Sequence, residues 1–393
     1  MTDAQVHHDA GQVLMGGFEG LDPDPDFVRL VNNGRVGGAI LFRRNIDSPH
    51  QAQDLLSRMA SLPSPRALMF SVDQEGGRVE RLKAPFPELP TMRSFGEVGR
   101  KTLTRRIGAL LARTLRAVGF HQDFAPVLDV DSNPANPVIG DRAFSNDPNI
   151  VARLGAAFID GLQSEGIAAC AKHFPGHGDT HVDSHLALPR LDHDIERLRA
   201  VELVPFRAAV AIDVASIMTA HILFAAFDDE HPATLSDKVM GPLVRDEVGY
   251  RGVVVSDDLE MKAIADHYGI GDAAVRSLKA GCDQILICRH PDLLAEAHEA
   301  IVKAVEAGQL SKHRLREAAE RVEQLKRHYV DTQALREPVN LDAALADPDY
   351  PMILEALQGA VTEVGADPTE REEPIVEYAL DEGDPDEVLE LDV

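Results

Sequence analysis

The sequence is poor in several things, and each scarcity closes a class of explanation. Its 393 residues include only three cysteines, Cys170, Cys282 and Cys288. They are too few for a disulfide framework and lack metal-ligand spacing, so a reducing compartment is the expectation. No apolar stretch approaches the ~18 residues of a membrane span. The opening MTDAQVHHDAGQVLMGGFEG carries acids and no basic stretch ahead of an apolar one, so it does not read as a secretory leader. Bases are scarce too: 39 Lys and Arg stand against 65 Asp and Glu, a net charge of −26. That balance argues against nucleic acid and against an anionic membrane as partners. Tryptophan is absent. What remains is a soluble α/β chain, expected in the cytoplasm.

The charge is unevenly spread. From Glu337 to Val393 there are 18 acidic residues and one base, Arg371. Such an acidic, Pro-punctuated segment buries too little apolar surface to offset the entropy of ordering it. The expected division is therefore a folded body over 1–336 and a disordered, solubilising tail over 337–393. Ile375, Val376, Tyr378 and Leu380 form a small apolar cluster in that tail, so docking on the body or on an unidentified protein partner is the alternative.

Eight short apolar runs recur along the body, at 12–18, 38–42, 67–73, 121–130, 167–174, 216–222, 252–258 and 283–290. They are aliphatic, without regular polar alternation, as strands buried on both faces should be. Helical patterns separate them, among them 48–62, 100–119 and 145–166, the last with Ser145 as N-cap and Gly166 as its end. Strand and helix repeated eight times predict a (β/α)8 TIM-type barrel that closes near residue 330. A doubly wound open sheet is the other topology, but no G-x-G-x-x-G follows the first strand.

Polar residues gather where the runs end, which in a barrel is the end that carries chemistry. Asp73 ends the third run, Asp129 and Asp131 the fourth, Lys172 and His173 the fifth, and His221 the sixth. Asp257 and Asp258 end the seventh, and Arg289 and His290 the eighth. A single strand-end Asp is an ordinary helix cap; six consecutive strands with the feature define a polar mouth.

The densest segment is KHFPGHGDTHVDSHLALP, 172–189. Its glycines and prolines forbid a helix, and with it the rigid His-x-x-x-His face that zinc sites favour. A mobile loop carrying a proton donor fits better, with Asp183 two residues from His185 to orient that imidazole. In VVVSDDLEMKA, Asp257 at the strand tip suits a nucleophile, while Ser256 or Asp258 suits a cap. SVDQEGGRVERL offers Asp73, Arg78 and Arg81, and VIGDRAFSNDP offers Arg142, groups that grip hydroxyls through charge-assisted bonds.

Taken together, KHFPGHGDTHVDSH, SDDLEM, DQEGGRV and IGDRAFS resemble the family 3 glycoside hydrolases, within them the bacterial β-N-acetylglucosaminidases (β-hexosaminidases) of cell-wall recycling. The likeness runs in order from about Gln12 to about residue 330. It implies Asp257 as nucleophile, His185 as acid/base and Asp183 as the partner of His185. It further implies Asp73, Arg81, Arg142, Lys172 and His173 as ligands of a terminal N-acetylglucosamine. Neither a cofactor nor a metal is implied. The expected reaction is retaining hydrolysis through a covalent glycosyl-enzyme. A phosphorylase using phosphate as acceptor and a metal-dependent barrel hydrolase are the alternatives. With no Trp to stack on, binding is expected to rest on hydrogen bonds to the sugar hydroxyls. The acidic tail has no counterpart in the resemblance.

Overall fold

A computed structural model describes residues 2–184 and 187–364. Each of the eight apolar runs contains a strand: β1 Leu14–Gly16, β2 Gly38–Leu41, β3 Met69–Val72, β4 Gln122–Asp123, β5 Ala168–Phe174, β7 Ser216–Thr219, β9 Val253–Asp258 and β10 Gln284–Ile287. Neighbours pair in parallel around a closed ring, β1-β2-β3-β4-β5-β7-β9-β10, and β10 returns to β1 through Leu14↔Ile285 and Met15↔Leu286. Two further strands, β6 Arg190–Leu191 and β8 Leu223–Phe224, make a short parallel ribbon outside the ring.

Closure buries both strand faces, which is why the runs show no polar alternation. Met15, Ile40, Met69, Phe124, Cys170, Met218, Val255 and Leu286 fill the interior, and Val322, Leu325 and Tyr329 plug its lower end. The outer faces pack on the helices, for example through Leu55, Leu111, Leu115, Phe158 and Leu278. All three cysteines are buried free thiols. No helix among the described residues is long and apolar enough to cross a membrane.

Local signals set the helix ends, with one correction. The helix over Pro148–Ser164 is capped by Asp147, whose carboxylate accepts from the Asn149 N–H, while Ser145 Oγ accepts from Asp147 N. Proline favours the first helical position, so the cap falls to the residue just before it.

The packed body runs past the expected division at 336. Helices span Leu341–Leu345 and Asp349–Val364, and Leu341, Tyr350, Ile353 and Leu357 are buried. Tyr350 Oη lies 3.1 Å from Thr114 Oγ1, and Asp349 pairs with Arg106 at 2.8 Å. Asp349 and Asp347 therefore pair with Arg106 and Arg113 of the helix Lys101–Val118, and the spaced apolar residues are buried against the body. Averaged composition conceals both features. The apolar cluster 375–380 lies outside the described residues.

Ending the chain at residue 345 is accordingly expected to lower the thermal midpoint by several degrees. Three buried side chains at roughly 1.5–3 kcal/mol each are lost. An unchanged melting curve would show that the helix Asp349–Val364 adds no stability.

Candidate active site

Side chains alternate along a strand, so residues an even number of positions from an interior residue share its face. Cys170 and Val255 point inward, which turns Lys172 and Asp257 into the mouth; Met69 does the same for Asp73. All three line a cavity of about 290 Å3 at the C-terminal end of the barrel, together with Glu75, Arg81, Arg142, His173 and Ser184. Six of the eight residues singled out from sequence therefore meet in one place. Asp183 immediately precedes the lining residue Ser184, and its carbonyl accepts from Ala187 N at 3.1 Å. His185 lies outside the described residues.

The floor of the cavity is a chain of charges. Lys172 Nζ lies 2.8 Å from Asp73 Oδ1 and 2.6 Å from Glu75 Oε1. Arg142 holds Glu75 with two parallel bonds of 2.8 and 2.9 Å, and Arg81 reaches Asp73 at 3.4 Å. Burial by itself would raise the Glu75 pKa, but Arg142 and Lys172 outweigh it and hold the carboxylate below its ordinary range. Burial would likewise lower the Lys172 pKa, yet Asp73 and Glu75 drive it above its usual value. The pocket is thus preorganised in a charged state. Glu75, absent from the sequence-derived set, is its hub. Its partner Arg142 is 67 residues away, and nothing local announces that pairing.

Glu75→Gln is expected to destabilise the protein by about 3–5 kcal/mol, because Arg142 and Lys172 lose their shared buried counter-charge. KM should also rise. Chemical denaturation and steady-state kinetics on the same preparation test this; unaltered stability and KM would remove Glu75 from the hub.

A second buried carboxylate organises the loop after β5. Asp129 accepts from His173 Nδ1 at 2.7 Å and from the His177 N–H at 2.6 Å. His177 continues the chain, with Nδ1 2.9 Å from Thr180 Oγ1 and Nε2 3.0 Å from Ser184 Oγ. Burial, with His173 nearby, lowers the His177 pKa to about 4, so its imidazole is neutral at pH 7. Asn136 donates to the carbonyls of His177 and Gly178 at 2.8 and 3.1 Å. A Cβ at position 178 would come within 1.7 Å of the Val130 carbonyl oxygen, so only glycine fits. The expectation of a mobile loop is thus corrected for 173–184: buried hydrogen bonds pin that stem to the 129–139 segment. Asp129 and His177 belong to the site's support; the sequence marks Asp129 only as a strand-end acid and does not single out His177.

Asp257 Oδ1 accepts from the Asp258 N–H at 2.8 Å. Asp258 caps no helix. Its Oδ1 accepts from Glu260 N at 3.1 Å and Cys288 N at 3.2 Å, tying β9 to β10. Ser256 Oγ serves the same seam by accepting from Leu286 N. Burial, then the charges of Glu260 and Asp257, raise the Asp258 pKa to about 7. A raised carboxyl pKa favours the folded state below the unfolded value and withdraws that stability as pH rises through the folded one. Asn at 258 keeps the accepting oxygen. The midpoint of Asp258→Asn relative to the parent is therefore expected to climb between about pH 4 and pH 7, and a flat difference would refute the shift.

Several strand-end residues serve elsewhere. Arg78 donates to the Ile139 carbonyl at 3.1 Å, Asp131 pairs with Arg93 at 2.5 Å, Arg289 pairs with Glu19, and His290 lies 3.0 Å from Glu260. His221 bonds Thr234 and the Asp258 carbonyl. Asp179 meets His193, and His181 meets Asn133. Among the described residues, the clusters with ligand atoms close enough for one metal are His8–Asp9–Glu323 and Asp228–Glu230–His231. None of these residues lines the mouth cavity.

An eight-stranded parallel barrel whose mouth gathers a strand-tip carboxylate, a buried ammonium and two guanidiniums defines a glycosidase-type barrel hydrolase. Residues 6–325 match the model for the glycosyl hydrolase family 3 N-terminal domain, and the chain belongs to that family: it is a glycoside hydrolase. A β-hexosaminidase of Nitrosomonas eutropha is 42% identical over 263 residues, 65% of this chain and 75% of the relative. The family 3 β-N-acetylglucosaminidase from Paenibacillus sp. superposes with a TM-score of 0.86 at 39% identity, over 90% of this chain and 68% of the other. NagZ from Neisseria gonorrhoeae, solved with N-trifluoroacetyl-D-glucosamine, gives 0.74 at 32% identity, over 89% of this chain and 98% of its own.

Proposed function

We propose that the protein removes terminal, non-reducing β-linked N-acetylglucosamine with retention of configuration. The observation that carries the reading is Asp257 in a one-sugar-sized cavity whose floor is the Asp73–Lys172–Glu75–Arg142 network. An Asp257 oxygen attacks the anomeric carbon as the bond to the leaving oxygen breaks, and the His185 imidazolium gives that oxygen its proton. Water then attacks the same carbon, passes a proton to His185 and frees the Asp257 carboxylate. An imidazole, with an unperturbed pKa near ~6.5, suits both transfers at neutral pH. Asp183 orients and charge-supports that imidazole. Asp73, Arg81, Arg142, Lys172 and His173 bind the sugar hydroxyls. Phe42, half-buried in the lining, supplies apolar surface where tryptophan is absent. The names of the relatives support the N-acetyl sugar. A muropeptide fragment in cytoplasmic cell-wall recycling is the natural substrate we assign.

Turnover of a chromogenic β-N-acetylglucosaminide beside the matching β-glucoside tests the reading. Strong preference for the first, with free sugar rather than sugar 1-phosphate formed in phosphate buffer, is the expected result. Equal rates would defeat the substrate assignment, and sugar 1-phosphate would make the protein a phosphorylase.

A further inference from the structure

The stretches that lead into β1, β2 and β3, at the opposite end of the barrel from the mouth, line a second, open cavity of about 500 Å3. His7 and His8 come from the first helix, Arg35 from the turn before β2, Arg66 from the loop before β3, and His298 from the helix Pro291–Glu306. Although the chain has 65 acidic residues, the described lining of this cavity contains no carboxylate.

Arg66 is its central charge. The guanidinium donates to His8 Nδ1 at 3.1 Å and to Gln12 Oε1 at 3.4 Å, both uncharged acceptors, and its Nε is buried without a partner. The nearest acids lie behind the lining: Arg316 takes Asp9 at 3.0 Å and Glu323 at 3.2 Å, and Glu323 also stands 3.7 Å from His8 Nε2. Burial lowers the Arg66 pKa to about 10, which still leaves it fully charged at neutral pH. Arg35 has only a 3.4 Å contact to Glu299, with both side chains partly exposed, a pair worth little and easily exchanged. His298 is 1% exposed; its Nε2 donates to the His7 carbonyl at 3.2 Å, and its Nδ1 is buried with no partner.

We propose that this cavity binds the phosphate group of a small organic phosphate ester. Guanidinium forks match phosphate oxygens in geometry and charge, and Arg66 and Arg35 supply two of them. The orphan Nδ1 of His298 is an acceptor for a hydroxyl of the ester's organic part, a donor that a phosphate dianion lacks. A cavity of about 500 Å3 exceeds what free phosphate fills and falls in the range of small-molecule sites.

Titration calorimetry of the full chain with inorganic phosphate, AMP and glucose 6-phosphate, at constant ionic strength, tests this. Saturable binding with an ester preferred over free phosphate is expected. Arg66→Gln should weaken it about tenfold or more, the loss of one charged hydrogen bond. Arg35→Gln, at a more exposed position, should weaken it several-fold without altering the thermal midpoint, and neither change should affect glycoside turnover. Absence of saturable binding, unchanged affinity in both variants, or equal heats from chloride would overturn the proposal. Preference for inorganic phosphate would overturn the ester.

Discussion

Asp257→Asn is expected to fold like the parent and to lose turnover by a factor on the order of 10⁴ or more, the scale on which removal of a nucleophile acts. The amide is close in size and its oxygen still accepts the Asp258 N–H that now meets Oδ1. The packing of β9 is therefore kept, while the charge that attacks the anomeric carbon is gone. A fluorinated N-acetylglucosaminyl donor with a good leaving group should form a long-lived covalent adduct on the parent protein. Peptide mapping of that adduct to any residue other than Asp257 would move the nucleophile and with it the proposed mechanism.

The second large effect concerns the proton donor. His185→Ala should cost roughly 10²–10⁴-fold on a natural disaccharide, the usual contribution of general acid catalysis. An acidic phenol needs no proton to depart, so with such a substrate the first step should survive. Release of the sugar should then become limiting, because no base activates water. Azide needs no deprotonation, and adding it should restore turnover and yield a β-glycosyl azide. Asp183→Ala should reproduce the pattern more weakly. Equal losses on good and poor leaving groups, without azide rescue, would reassign the acid/base role. His173 is then the first candidate: it lines the cavity and already has a buried carboxylate, Asp129, on its Nδ1 at 2.7 Å. His221 would be the second.

The barrel was legible in the sequence because its evidence is local. Eight apolar runs of strand length alternate with helical periodicity, and burial on both faces of a strand leaves its mark on consecutive residues. The mouth followed from the same logic: Asp73, Lys172 and Asp257 stand at the ends of runs, and strand alternation turns them inward. Helix ends were legible to within a residue or two, Asp147 displacing Ser145 because Pro148 takes the first helical position.

What only the tertiary structure decided is how these residues are paired. Glu75 between Arg142 and Lys172, Asp129 beneath His173 and His177, and Ser184 against His177 are contacts made by closure of the ring and by the 129–139 segment lying along the loop after β5. The shift of Glu75 comes from Arg142 and Lys172, both distant in sequence, and that of Asp258 first from burial, which the fold decides. The helix Asp349–Val364 follows the same rule. Its acids promise a solvated tail until Arg106 and Thr114 are set opposite Asp349 and Tyr350. Hydrophobic period is a property of neighbours in the chain, and electrostatic pairing is a property of neighbours in space, so the first could be read from the residues and the second had to be folded.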